Sequence, residues 1–235
     1  SDVIISALTI RNGRISESGE YEDGAGIENR GTLLLLQCVL SDNNAAGGYS
    51  RGGGVCNRGT LVALQSTFAR NVCSGYYGEG GAIYNYGALA VTNCTFSGNS
   101  VGMWGGAIHN DMMSDGTVLE SCTFTANNAP AGGGIFNRGH PPYYVSPVFL
   151  RNTIVAGNTG GDINHCSLIQ SGGYNLIGTI TDPYGSMALP FVAGPGDRTN
   201  VTAAEVRLGP LQDNGGPTPT CALLRHSLAL DATPE

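Results

Sequence analysis

A block of about 28 residues returns along this chain, and a chain written that way folds as a stack of like units whose neighbours bury one another. GAGIENRGTLLLLQCVLSDN from Gly24 is followed by GGGVCNRGTLVALQSTFARN from Gly52 and GGAIYNYGALAVTNCTFSGN from Gly80. Shorter copies, GGAIHN and GGGIFNRG, begin at Gly105 and Gly132. Asn29, Asn57 and Asn85 step by 28, and Asn110 and Asn137 follow at 25 and 27. Asn71, Asn99 and Asn127 keep the step of 28, so two asparagine columns run through the molecule. Insertions fall between the columns, at 110–116 and 140–147.

Within each copy the apolar residues alternate over short stretches, as at Leu33/Leu35 and Leu89/Val91, which is strand periodicity. No stretch of ten residues reads as helix. The pattern predicts an all-β parallel solenoid of about six rungs over residues 1–178, spanning roughly 29 Å at about 4.8 Å per strand. Ile27, Val55, Ile83, Ile108 and Ile135 form one inward column, and Ile10, Leu40, Phe68, Phe96, Phe124 and Val155 another. The 37 glycines and the asparagines are assigned to corners that need a positive φ or an extra side-chain hydrogen bond. Residues 179–235 leave the repeat and carry seven of the eleven prolines, which predicts an irregular cap or flap packed over the last rung.

Charge narrows the partners. All eleven basic residues are arginine, against 18 acids, for a net charge of −7. A nucleic-acid partner is excluded for want of a basic footprint, and an anionic membrane surface is disfavoured for the same reason. Without lysine there is no Schiff base or amine base. No apolar run is long enough to span a bilayer. The opening SDVIISALTIRNG has neither a basic n-region nor a small-residue cleavage pattern, so any export signal is expected to have been removed or never included.

At the residue level the repeats GGAIYNYGALAVTNCTFSGN and GGGIFNRG resemble bacterial secreted β-helix proteins related to polymorphic outer-membrane protein repeats. NTIVAGNTGGDI from Asn152, SGGYNLIG from Ser171, LGPLQDNGGPTPTCALL from Leu208 and the closing HSLALD resemble the choice-of-anchor Q domain family. Together these cover nearly the whole chain. The resemblance implies a right-handed single-stranded parallel β-helix of the pectate-lyase-like kind, extracellular or anchored at the surface of a bacterium. Its members commonly continue toward an anchor, which is expected here to be missing, processed off or outside this stretch of sequence.

Seven cysteines leave at least one unpaired. Cys38, Cys94 and Cys122 share a rung position that Leu8, Ser66 and Thr153 fill elsewhere, which reads as a buried thiol column; a Cys94–Cys122 bridge is the alternative. Cys166 and Cys221 lie in the irregular C-terminal part and are disulfide candidates, and Cys56 could pair with Cys73. No CxxC or HxxxH spacing occurs, and no metal or other cofactor is expected. Glu20, Glu22, Asp23 and Glu79 are oxygen donors near the loops, but no calcium-loop repeat accompanies them.

The fifth position of GGxIxN alternates away from the core, giving the column Glu28, Cys56, Tyr84, His109 and Phe136, expected to face solvent. A lyase acting on an acidic polysaccharide would draw on it, with Arg58 neutralising a uronate and His109 or Tyr84 taking a proton. The alternative is an exposed ladder whose side chains merely stack. Paired hydrolase carboxylates are absent. A second feature is the aromatics ahead of the glycine clusters: Tyr21, Tyr49, Tyr76, Tyr77 and Trp104, which in a row could stack on sugars or on a protein neighbour. Finally, strand pattern begins at once with VIISALTI, so an uncovered first rung is expected to invite end-to-end stacking of copies into filaments. The resulting reading is a structural or adhesive surface module without chemistry of its own, with a polysaccharide lyase or a glycan-binding module as the competing classes.

Overall fold

A computed structural model describes residues 2–16, 22–182 and 189–230. Among these the chain coils as a parallel β-solenoid. Each turn runs through a long strand, a tight turn, a three-residue strand, an asparagine corner, a two-residue strand and a loop, and closes with another three-residue strand. The long strands Asp2–Ser6, Thr32–Leu36, Thr60–Leu64, Ala88–Thr92, Gly116–Glu120, Val148–Arg151, Ile169–Gly173 and Phe191–Val192 make one eight-stranded sheet, here the long sheet. Six full turns connect the first seven of them. Strands from Thr9–Arg11 to Arg198–Thr199 make a second eight-stranded sheet, the phenylalanine sheet. A seven-stranded third, the ladder sheet, runs from Ile27–Asn29 to Ile180–Thr181.

Pairing is in register throughout the repeat, so like residues stack. Phe68, Phe96 and Phe124 follow one another in the phenylalanine sheet with ring centroids 4.6 and 4.5 Å apart and near-parallel planes. The isoleucine column likewise runs unbroken from Ile27 through Val55, Ile83, Ile108 and Ile135 to Ile163. Both columns fill one continuous core with Leu33, Leu35, Leu61, Ala63, Leu89, Val91, Leu119 and Leu150 from the long sheet.

The two asparagine columns are side-chain ladders. Asn29 donates to Asn57 at 2.7 Å, Asn57 to Asn85 at 2.7 Å, Asn85 to Asn110 at 2.9 Å and Asn110 to Asn137 at 2.9 Å. The second ladder extends beyond the three residues the repeat marks, from Asn43 through Asn71, Asn99 and Asn127 to Asn158, with links of 2.8 to 3.0 Å. Apart from Asn110, the ladder amides also donate to a main-chain carbonyl, as Asn99 does to Phe68, so buried corners keep their polar groups paired.

The two roles expected at the corners fall to different residues. The ladder asparagines hold ordinary φ, while positive φ falls on a glycine column, Gly24, Gly52, Gly80, Gly105 and Gly132. At Gly80, φ is 70° and a Cβ would run into the carbonyl of Ile83. Positive φ falls also on ordinary residues in the turn after each long strand: Ala7, Gln37, Gln65, Asn93, Ser121, Asn152 and Tyr174. The repeated register of neighbouring rungs holds these residues in a conformation that costs each of them free energy locally.

The thiol column is buried and takes part in a mixed hydrogen-bond ladder. Ser66 Oγ accepts from Cys38 N, and Asn175 Oδ1 accepts from Thr153 N. The thiols of Cys94 and Cys122 donate to the carbonyls of Thr92 and Glu120 at 3.3 and 3.1 Å. All seven cysteines are free, so the disulfide candidates Cys166 and Cys221 do not pair. Cys166 follows the ladder-sheet strand Ile163–His165, whereas Cys221 lies in a hairpin beside Ser97 on the phenylalanine sheet. The Cys56–Cys73 and Cys94–Cys122 alternatives are likewise unbonded.

After the last rung strands comes a four-residue helix, Ala203–Val206, with a capping box made by Thr202 and Glu205. The antiparallel hairpin Leu208–Gln212/Thr220–Leu223 then folds back along the flank. Thr67 Oγ1 donates to Pro219 O at 2.6 Å, Thr218 Oγ1 donates to Gln65 O at 3.1 Å, and Pro217 reaches Ala7 and Leu8 of the first rung. The tail therefore covers the outside of the phenylalanine sheet.

Candidate functional site

The outward column of the ladder sheet lies where the alternation places it, side by side in register from Glu28 to Cys56, Tyr84, His109 and Phe136. It does not face solvent. Cys56, Tyr84, His109 and Phe136 are all buried. The loops that lead into each GGxIxN block turn back over this face and pair with one another, with Glu22–Asp23 beside Ser50–Arg51 and bridges onward through Glu79, Trp104 and Ala131. They form a fourth layer, which the pattern within the strands could not reveal because its residues lie in loops.

Between the layers sits an aromatic stack threaded by charge. His109 lies 5.4 Å from Tyr84, 5.3 Å from Phe136 and 6.1 Å from Trp104 by ring centroid. The Arg51 guanidinium stands 5.1 Å over Tyr84, and that of Arg138 stands 5.6 Å over Trp104. Glu79 receives Arg51 at 3.1 Å and Arg138 at 3.5 Å, Arg138 also reaches Asp111 at 3.6 Å, and Arg58 pairs with Asp23. The carboxylates considered as calcium donors are thus taken by arginine: Glu79 and Asp23 are both in ion pairs. Glu20 and Tyr21 lie outside the described residues. Among the described residues no group of three metal-ligating side chains converges.

Burial sets the electrostatics. It pushes the Glu79 carboxyl above its ordinary range against the pull of Arg51 and Arg138, and it pushes the Tyr84 hydroxyl upward as well. It drives the His109 pKa down from 6.5 to about 3. His109 is therefore neutral at pH 7, its approach to Asp111 at 3.9 Å is no ion pair, and neither ring nitrogen makes a hydrogen bond. Of the proposed lyase trio, Tyr84 and His109 lie side by side, Arg58 is instead paired with Asp23, and the ring meant to take a proton is enclosed where burial disfavours its protonation.

The loop aromatics divide. Tyr49 and Tyr77 stack at 4.6 Å, with Tyr76 edge-on to Tyr77 at 4.7 Å, and all three are exposed, Tyr76 at 79 %. Trp104 does not join them; it stacks on Phe136 at 5.6 Å inside the fourth layer. The exposed tyrosines make a patch at the loop edge, one rung below the buried stack.

Residues 93–111 are similar to the Chlamydia polymorphic membrane protein repeat. The matched stretch holds Phe96 of the core column, Asn99 of the second ladder, Trp104 and the GGAI block at Gly105, so what is shared is the rung-forming pattern. No curated protein and no solved structure matches the chain. Among the described residues no helix is long and apolar enough to cross a membrane.

Proposed function

We propose that this chain is a rigid bacterial cell-surface module that adheres through its loop edge and performs no catalytic step. The observation that carries this reading is the solenoid with its similarity to a polymorphic membrane protein repeat. Three points support it. The convergent set of titratable side chains that the repeat singles out among the described residues is sealed under loops, with His109 neutral. Tyr49, Tyr76 and Tyr77 present a preassembled aromatic patch of the kind that contacts sugars or proteins at little entropic cost. The first described rung leaves Leu8 56 % exposed at the position where Cys38 is buried, a surface shaped for another rung. Where another copy supplies such a rung, copies assemble end to end. Attachment to the surface follows the choice-of-anchor Q resemblance.

Immobilised chain probed with printed glycans and extracellular-matrix proteins tests the reading. Binding should be lost when Tyr76 and Tyr77 are both changed to Ala, with Tm unchanged. Release of unsaturated products from a uronate polymer, abolished by His109→Ala, would establish the lyase instead.

A further inference from the structure

The described residues cover two outer faces of the solenoid themselves: the loop layer covers the ladder sheet, and the C-terminal hairpin lies on the phenylalanine sheet. The outward face of the long sheet stays half-buried to exposed. Its central column runs in register through Ile4, Leu34, Val62, Ala90, Val118 and Phe149 before Gln170 and Val192. Ile4 is 70 % exposed and Val118 41 %. Leu36 and Leu64 widen the apolar strip on one side, and a depression of about 350 Å³ opens over Ala88, Ala90 and Gly116 between Val62 and Phe149. A solvated solenoid face carries polar residues at such positions. Parallel strands occur almost entirely with both faces covered, and a continuous exposed apolar strip marks an interaction surface.

We propose that two copies of this chain pair face to face through the long sheet. The area suffices: strands about 4.8 Å apart and five residues long present roughly 35 by 16 Å, so two copies bury about 1,100 Å², just past the threshold for a specific interface. The column is also complementary to itself. A two-fold axis along the strands, passing between Thr60–Leu64 and Ala88–Thr92, sets Val62 of each copy against Ala90 of the other, where the small residues leave room. The same axis sets Leu34 against Val118 and Ile4 against Phe149. The central column contains no charged residue, and in the flanking column Glu120 and Arg151 stand side by side with opposite charges.

Sedimentation equilibrium of the chain across the micromolar range tests this. A monomer–dimer equilibrium is expected, weakened about tenfold or more by Val118→Lys, which places a charge against Leu34 of the other copy. Ile4→Lys, at a more exposed position, should weaken it too, and Leu8→Lys at the open first rung should leave it unchanged. Tm of each variant confirms folding. A chain that stays monomeric throughout would overturn the pairing. So would association that survives both strip variants and is lost in Leu8→Lys, which would make rung stacking the contact.

Discussion

The outward faces of the ladder sheet and of the long sheet come from the same rungs and obey the same pleat, yet their composition and exposure are crossed. Tyr84 and His109 on the ladder sheet are buried, whereas Ile4 and Val118 on the long sheet are exposed and the leucines and Val62 beside them half-buried. Alternation tells which way a side chain points; what lies beyond it is decided by the segments between strands. The loops ahead of each GGxIxN block are long enough to fold back over the ladder sheet, whereas the turns out of the long strands are tight and leave that sheet open.

The strongest test of this contrast is to cut equivalent outward residues on the two faces. Tyr84→Ala should cost about 4 kcal/mol, because a buried ring is removed from between two packed layers, measured as the shift in urea unfolding. A cost below about 1 kcal/mol would mean the loop layer does not close. Next is the charge inside the layer. Glu79→Gln leaves Arg51 and Arg138 without their shared carboxylate and should cost about 2 kcal/mol, less than a fully buried pair because both arginines keep some solvent.

The third test is pH. Folded His109 has a pKa near 3 against 6.5 when unfolded, so its contribution is complete above pH 6.5 and is lost as pH falls toward 3, where the unfolded chain takes up a proton that the folded chain refuses. At pH 5 the loss is about 2 kcal/mol. Carboxylates move in the same range, so the measurement is the difference between the chain and His109→Phe, which places on that rung the residue found at Phe136. Equal pH profiles would put His109 in contact with water. The smallest effect is on the open face: Val62→Ser should change monomer stability by no more than about 0.5 kcal/mol, read at concentrations too low for pairing.

Much of the solenoid was legible because stacking makes sequence columns into spatial columns. The isoleucine and phenylalanine columns and the ladder of Asn29, Asn57, Asn85, Asn110 and Asn137 could be read by aligning copies. Asn43 and Asn158 extend the second ladder at its ends, Asn43 at the regular step of 28 from Asn71 and Asn158 after an irregular step of 31 from Asn127. The site was legible in part. Tyr84 and His109 were placed beside one another and Arg138 stands in the repeated NRG position, but Glu79 and Arg51 come from loop segments with no shared motif, so their closure over the column left no period to detect. Trp104 and the tyrosines look alike in sequence and separate only in space, since Trp104 stacks on Phe136 and the tyrosines on one another.

A 28-residue period with an apolar alternation of two was enough to specify stacked parallel strands, their register and the identity of the core columns, because each copy can bury its apolar face only against the next. Which outward face is sealed, which is open, where the tail lies and which carboxylates are spent on arginines were decided by the tertiary structure. Those outcomes depend on loop lengths and on contacts between residues as far apart as Gln65 and Thr218, and no local rule of propensity reaches that distance.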